Sequence, residues 1–77
     1  MGVEYSKQAE GYLEKQNERQ SARIRVAITN LPVGDVRKLK GINNGYRLRI
    51  GSVRILFERY GSKIYIVKID NRGDVYK

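Results

Sequence analysis

Apolar and polar residues alternate along two neighbouring runs in the middle of the chain. Tyr46, Leu48 and Ile50 are separated by Arg47 and Arg49, the period of two that marks a half-buried strand. Val53, Ile55 and Phe57 repeat the pattern around Arg54 and Leu56. Only Gly51 and Ser52 stand between the runs, a two-residue loop with Gly first that suits a type II′ turn. Such a turn sets the pairing. Ile50 faces Val53, Leu48 faces Ile55 and Tyr46 faces Phe57 on one side of the ribbon. On the other side Arg49 faces Arg54 and Arg47 faces Leu56.

The period changes on either side of this hairpin. Met1 to Tyr5 reads as a short strand with Val3 and Tyr5 on one side. Ser6 is a candidate N-cap for a helix over Lys7 to Gln16, with Ala9, Tyr12, Leu13 and Gln16 on one stripe. Gly11 weakens that helix by about 1 kcal/mol relative to Ala. Asn17 breaks the pattern. A second helix runs from about Glu18 to Asn30, with Ile24, Ala27, Ile28 and Leu31 at i, i+3, i+4 and i+7. Ala22 and Val26 lie off this stripe, and Pro32 ends the helix. Val33 to Asn44 lacks periodicity and reads as a linker anchored by Val36 and Leu39. Asn43-Asn44-Gly45 turns the chain into the hairpin. After a second turn around Gly61, Ile64 to Ile69 is nearly all apolar, as a strand covered on both faces should be. The pattern predicts an α+β fold. An N-terminal helical hairpin packs on one face of a small, mostly antiparallel sheet of three to four strands.

Composition narrows what such a fold can do. The chain has 77 residues, enough for one domain over 1–77 with a thin core. It has no Cys and no His, which removes thiolate chemistry, the usual general base and the commonest metal ligand. Its 8 acidic residues are scattered, so no metal or other cofactor is expected. No apolar run approaches membrane-spanning length and no signal-peptide core opens the chain. The expectation is cytoplasmic, with no membrane partner. Charge is the strongest global signal: 16 Lys+Arg against 8 Asp+Glu, net +8. That balance points to a polyanionic partner.

The hairpin shows where the anion would sit. Two arginines directly opposite each other repel, where an opposite pair would contribute about 0.2–1 kcal/mol. An anion between them turns the repulsion into a site. Arg47, Arg49 and Arg54 share this face, with Lys40 near its rim, and Arg72 and Tyr76 follow the last strand. A guanidinium fork matches two phosphate oxygens at once. Several forks around one phosphate stabilise the added charge of a pentacoordinate transition state. Clustered cations also favour a tyrosine phenolate. Two readings of Tyr76 therefore stand side by side: a base for a ribose 2′-hydroxyl, or an aromatic plug that ties the C-terminal residues to the core. Arg72 likewise reads as a phosphate ligand or as a solvated turn residue.

Leu31-Pro32, Lys38-Leu39-Lys40-Gly41, Tyr46-Arg47-Leu48-Arg49, Arg54, and Arg72 four residues before Tyr76 together resemble the RelE/ParE superfamily of toxins from toxin–antitoxin systems. The resemblance extends to Glu4-Tyr5-Ser6-Lys7-Gln8-Ala9. It implies a RelE-like, microbial-ribonuclease-like fold. It also implies, for the RelE branch, cleavage of messenger RNA in the ribosomal A site by 2′-hydroxyl attack without metal, which blocks translation. On that pattern Arg47 and Arg49 contact the scissile phosphate, and Arg54 and Arg72 take phosphate-stabilising and acid roles. Tyr76 is the base and stacking platform, while Arg37, Lys38 and Lys40 meet RNA or ribosome. The implied partners are messenger RNA, the ribosome and a RelB-like antitoxin, received at an exposed Val26 or a sheet edge. Arginine stands at 47 and 49 where the best-studied members carry lysine, which keeps charge but gives up proton transfer. The alternative is a ParE-like toxin that inhibits DNA gyrase without catalysis.

Overall fold

The computed structural model describes residues 2–71 apart from 32 and 42. Its elements are β1 (Gly2–Tyr5), α1 (Lys7–Glu14), α2 (Glu18–Thr29), β2 (Asp35–Lys38), β3 (Gly45–Ile50), β4 (Val53–Tyr60) and β5 (Lys63–Asn71). The strands form one sheet in the order β1-β5-β4-β3-β2. β2, β3, β4 and β5 pair antiparallel in sequence, and β1 pairs parallel to β5. The sheet is thus mixed and five-stranded, wider than the three to four strands expected.

The β3–β4 hairpin has the register its turn demands. Ile50 pairs with Val53, Leu48 with Ile55, Tyr46 with Phe57, Arg49 with Arg54 and Arg47 with Leu56. Gly51 takes φ +57 while Ser52 does not enter positive φ, the signature of a II′ turn rather than I′. β2 corrects the linker assigned to residues 33–44. An edge strand needs only one buried side, so the single pair Val36–Leu48 suffices. With one apolar residue among Asp35, Val36, Arg37 and Lys38, the segment shows no alternation to read.

β5 contains a bulge. Phe57 pairs with Ile66, but Leu56 pairs with Lys68, so Val67 is an extra residue. The bulge turns Ile66 and Ile69, three apart, onto the same face. Ser6 and Gln8 then complete the edge of β5 beyond the end of β1. The Ser6 hydroxyl donates to the Val67 carbonyl at 2.7 Å and accepts from the Ala9 amide at 3.1 Å, so the N-cap of α1 is also a sheet contact. The Gln8 amide donates to the Ile69 carbonyl and accepts from the Ile69 amide, both at 2.9 Å.

The core lies between the helices and one sheet face. It comprises Ala9, Leu13, Ile24, Ile28, Leu31, Leu48, Val53, Ile55, Phe57, Ile64, Ile66 and Ile69. The two helices contribute unequally rather than as one hairpin unit. α1 lies against β5 and β1. α2 is capped by Asn17, whose side chain accepts from the Gln20 amide at 2.8 Å, and it reaches the core through Ile24 and Ile28. Arg25 stacks over Tyr5 at 5.5 Å and ties α2 to β1. Val26, off the buried stripe, is 59% exposed.

Candidate functional site

Strand alternation sends every second side chain to the face away from the helices. Four strands align one row there: Asp35 on β2, Arg49 on β3, Arg54 on β4 and Asp70 on β5. The next row is Arg37, Arg47, Leu56 and Lys68. The opposed arginines are therefore real, and an aspartate stands on each side of them. Sequence reading missed both aspartates. Asp35 lay in the apparent linker, and the bulge at Val67 hid which face Asp70 shares.

The three central arginines are not equivalent. Arg54 Nη2 lies 3.3 Å from Asp70 Oδ2, with about a quarter of each side chain exposed. The contact is single, since Arg54 Nε and Asp70 Oδ1 are buried and unpartnered among the described residues. Asp70 thus grips one nitrogen of the Arg54 fork. Arg47 is buried, 8% exposed, and reaches Asp35 at 3.7 Å. Arg49 is exposed and has no ion pair among the described residues. It is the free cation at the centre of the row, held between charges that its neighbours only partly neutralise.

The charge of this face reverses along the strands. β4 presents Arg54, Leu56, Glu58 and Tyr60 in turn, and Glu58 pairs across to Tyr65, whose other neighbour is Glu4. Glu4 is bridged to Lys63 at 3.1 Å. The Tyr60 hydroxyl donates to Glu58 Oε1 at 2.9 Å. That bond, with burial and the Glu58 charge adding to it, raises the Tyr60 pKa above its ordinary value. An anion is directed to the arginine end, about 13 Å along the strand from Glu58.

Of the three basic residues expected to meet RNA or ribosome, Arg37 shares this face, opposite Arg47. Lys38 points the other way, over the Tyr46 ring at 5.3 Å on the helical side. Lys40 is exposed in the β2–β3 turn, at the end of β3 remote from Arg49, and so does not rim the arginine row. Arg72 and Tyr76 lie outside the described residues. Asn71, the last described residue, pairs with Val53 beside the β3–β4 turn. Forks in this arrangement can bind phosphate and stabilise developing negative charge. They cannot move a proton.

No protein-family model and no curated protein matches the sequence. Solved structures do. A chain of the RelB–RelE antitoxin–toxin complex from Methanococcus jannaschii superposes with a TM-score of 0.76 at 28% identity, over 96% of this chain and 95% of that one. The RelE–RelB complex from Pyrococcus horikoshii gives 0.70 at 28% identity, over 94% of each chain. The fold is RelE-like. The RelBE2 toxin–antitoxin complex from Mycobacterium tuberculosis shares that fold at TM-score 0.68 and 21% identity, over 92% of this chain and 96% of that one. Each match covers more than nine-tenths of both chains, and in this chain the arginine row lies on the sheet face away from the helices.

Proposed function

We propose that this chain is the toxin of a toxin–antitoxin pair and an endoribonuclease that cleaves messenger RNA on the ribosome, so blocking translation. The observation that carries the reading is the Arg49–Arg54 pair, set on the open face of a RelE-like fold. In the proposed reaction a ribose 2′-hydroxyl attacks the adjacent phosphate, and the 5′-oxygen of the next nucleotide leaves. Arg49 and Arg54 hold the phosphate oxygens and stabilise the pentacoordinate transition state. Arg47 fixes the flanking backbone. Tyr76 takes the 2′-hydroxyl proton, the phosphate closes to a 2′,3′-cyclic ester, solvent water protonates the departing 5′-oxygen, and Arg72 supports the phosphate and leaving group. An antitoxin holds the protein inactive.

The test is messenger RNA incubated with the pure protein, with and without translating ribosomes. Cuts within codons that need ribosomes are expected, and they should vanish in the Arg72→Ala, Tyr76→Phe double variant. Equal cutting by that variant removes the roles assigned to the two residues. One observation favours a second, non-catalytic reading: two of the three arginines are already engaged by aspartates. Inhibition of gyrase supercoiling, with no RNA cleavage, would select that ParE-like alternative.

A further inference from the structure

The open face carries an apolar and aromatic strip that the arginines do not account for. Leu56 on β4 stands between Arg47 on β3 and Lys68 on β5. In the row beyond it, away from Arg49 and Arg54, Tyr65 on β5 stands between Glu58 on β4 and Glu4 on β1. Leu56 and Tyr65 are both half-exposed, and Tyr65 stacks on no other ring among the described residues. A tyrosine ring left half in water beside a cationic face is a platform on which an unstacked nucleobase can lie.

The three rows accept different parts of a nucleotide. The Arg49–Arg54 row takes a phosphate. In the second row Arg37 and Lys68 are exposed and enter no ion pair among the described residues, so it takes the next phosphate along the strand. The third row repels phosphate through Glu58 and Glu4. Rows on one face lie about 7 Å apart, and a nucleotide whose phosphate rests on the second row sets its base over the third. The two glutamates there are not equivalent. Glu4 is committed to Lys63 at 3.1 Å. Glu58 enters no ion pair among the described residues, and the Tyr60 hydroxyl, donating to its Oε1 at 2.9 Å, holds the carboxylate and leaves Oε2 to accept.

A carboxylate accepts hydrogen bonds and donates none. Guanine presents two donors side by side, N1–H and the N2 amino group. Adenine and cytosine present one amino group beside a ring nitrogen that is itself an acceptor, and uracil one N–H between two carbonyl oxygens. Only guanine meets the carboxylate with donors alone. We infer that Tyr65 and Glu58 form a base-reading site selective for guanine, for the nucleotide that flanks the reacting phosphate. Tyr65 stacks on the base, Glu58 accepts from its N1–H and N2–H, and Tyr60 is a positioning residue for Glu58. The inference rests on the proposed function for single-stranded RNA as the ligand, and on Tyr65 and Glu58 for the choice of base.

The test uses the full chain and 2′-O-methyl oligonucleotides of about five residues, which carry no 2′-hydroxyl to react. An all-uridine strand is compared with the same strand carrying one central guanosine, at one salt concentration. Fluorescence anisotropy should show the guanosine strand bound about tenfold more tightly. Isotope-labelled protein should show guanosine-dependent shift changes at Tyr65 and Glu58. Tyr65→Ala should weaken both strands about tenfold. Glu58→Gln should act in two directions: all-uridine binds more tightly, since a repelling charge is gone, and the preference for guanosine is lost. A residue that only supports the fold would move both affinities together. Equal binding of the two strands, no binding of either, a preference that survives Glu58→Gln, or shifts confined to Arg49 and Arg54 overturns the inference. Guanosine-selective binding by a protein that leaves messenger RNA uncut on ribosomes removes the proposed catalysis and keeps the base site. Cutting on ribosomes without guanosine-selective binding removes the base site and keeps the catalysis.

Discussion

The two faces of the sheet are built from the same strands and obey opposite rules. On β4, Val53, Ile55 and Phe57 are buried against the helices, while Arg54, Leu56 and Glu58 look the other way and remain half-exposed. The first set gains stability from every neighbour. The second contains two opposed arginines and two part-exposed aspartate bridges, which contribute little net energy. Stability is thus concentrated on the helical face, and the open face is free to hold charge in an arrangement that folding alone disfavours.

Mutations should separate the faces by size. Ile66→Ala removes a fully buried side chain and should cost about 2–5 kcal/mol in denaturant unfolding. A loss below the cost of a surface change would show that the helical face does not carry the fold. Gln8→Ala strips two hydrogen bonds from the Ile69 backbone and should cost about 1–3 kcal/mol, seen also as faster amide exchange at Ile69. Within the open face, Arg47→Ala should cost about 1–2 kcal/mol, because a buried stem is lost and Asp35 is left unpaired. Arg49→Glu should change stability least, by under about 0.5 kcal/mol, since the attraction gained to Arg54 is offset by repulsion from Asp35, directly opposite on β2. If calorimetry shows Arg49→Glu as costly as Arg47→Ala, the two arginines do not differ as described.

Much of this contrast was legible before any coordinates. The two-residue turn at Gly51-Ser52 dictates the hairpin register, so the opposed arginines could be read from sequence. The Ile24, Ile28, Leu31 stripe and the Ser6 cap are equally local signals. What escaped is non-local or lacks pattern. β2 has one apolar residue, and the parallel pairing of β1 with β5 joins segments sixty residues apart with no turn to announce it. The bulge at Val67 displaces the parity of Asp70, so the aspartate beside Arg54 was invisible. Of the expected site, Arg37, Arg47, Arg49 and Arg54 share a face, Lys38 and Lys40 do not join it, and Arg72 and Tyr76 lie outside the described residues.

The most direct experiment pairs two readings on Arg49→Ala: its unfolding free energy and its cutting of messenger RNA in a translating extract. If the open face is a phosphate site, stability stays within about 0.5 kcal/mol of the parent while cleavage falls about a hundredfold. Undiminished cleavage by this variant would contradict the assignment of the arginine pair to the reacting phosphate.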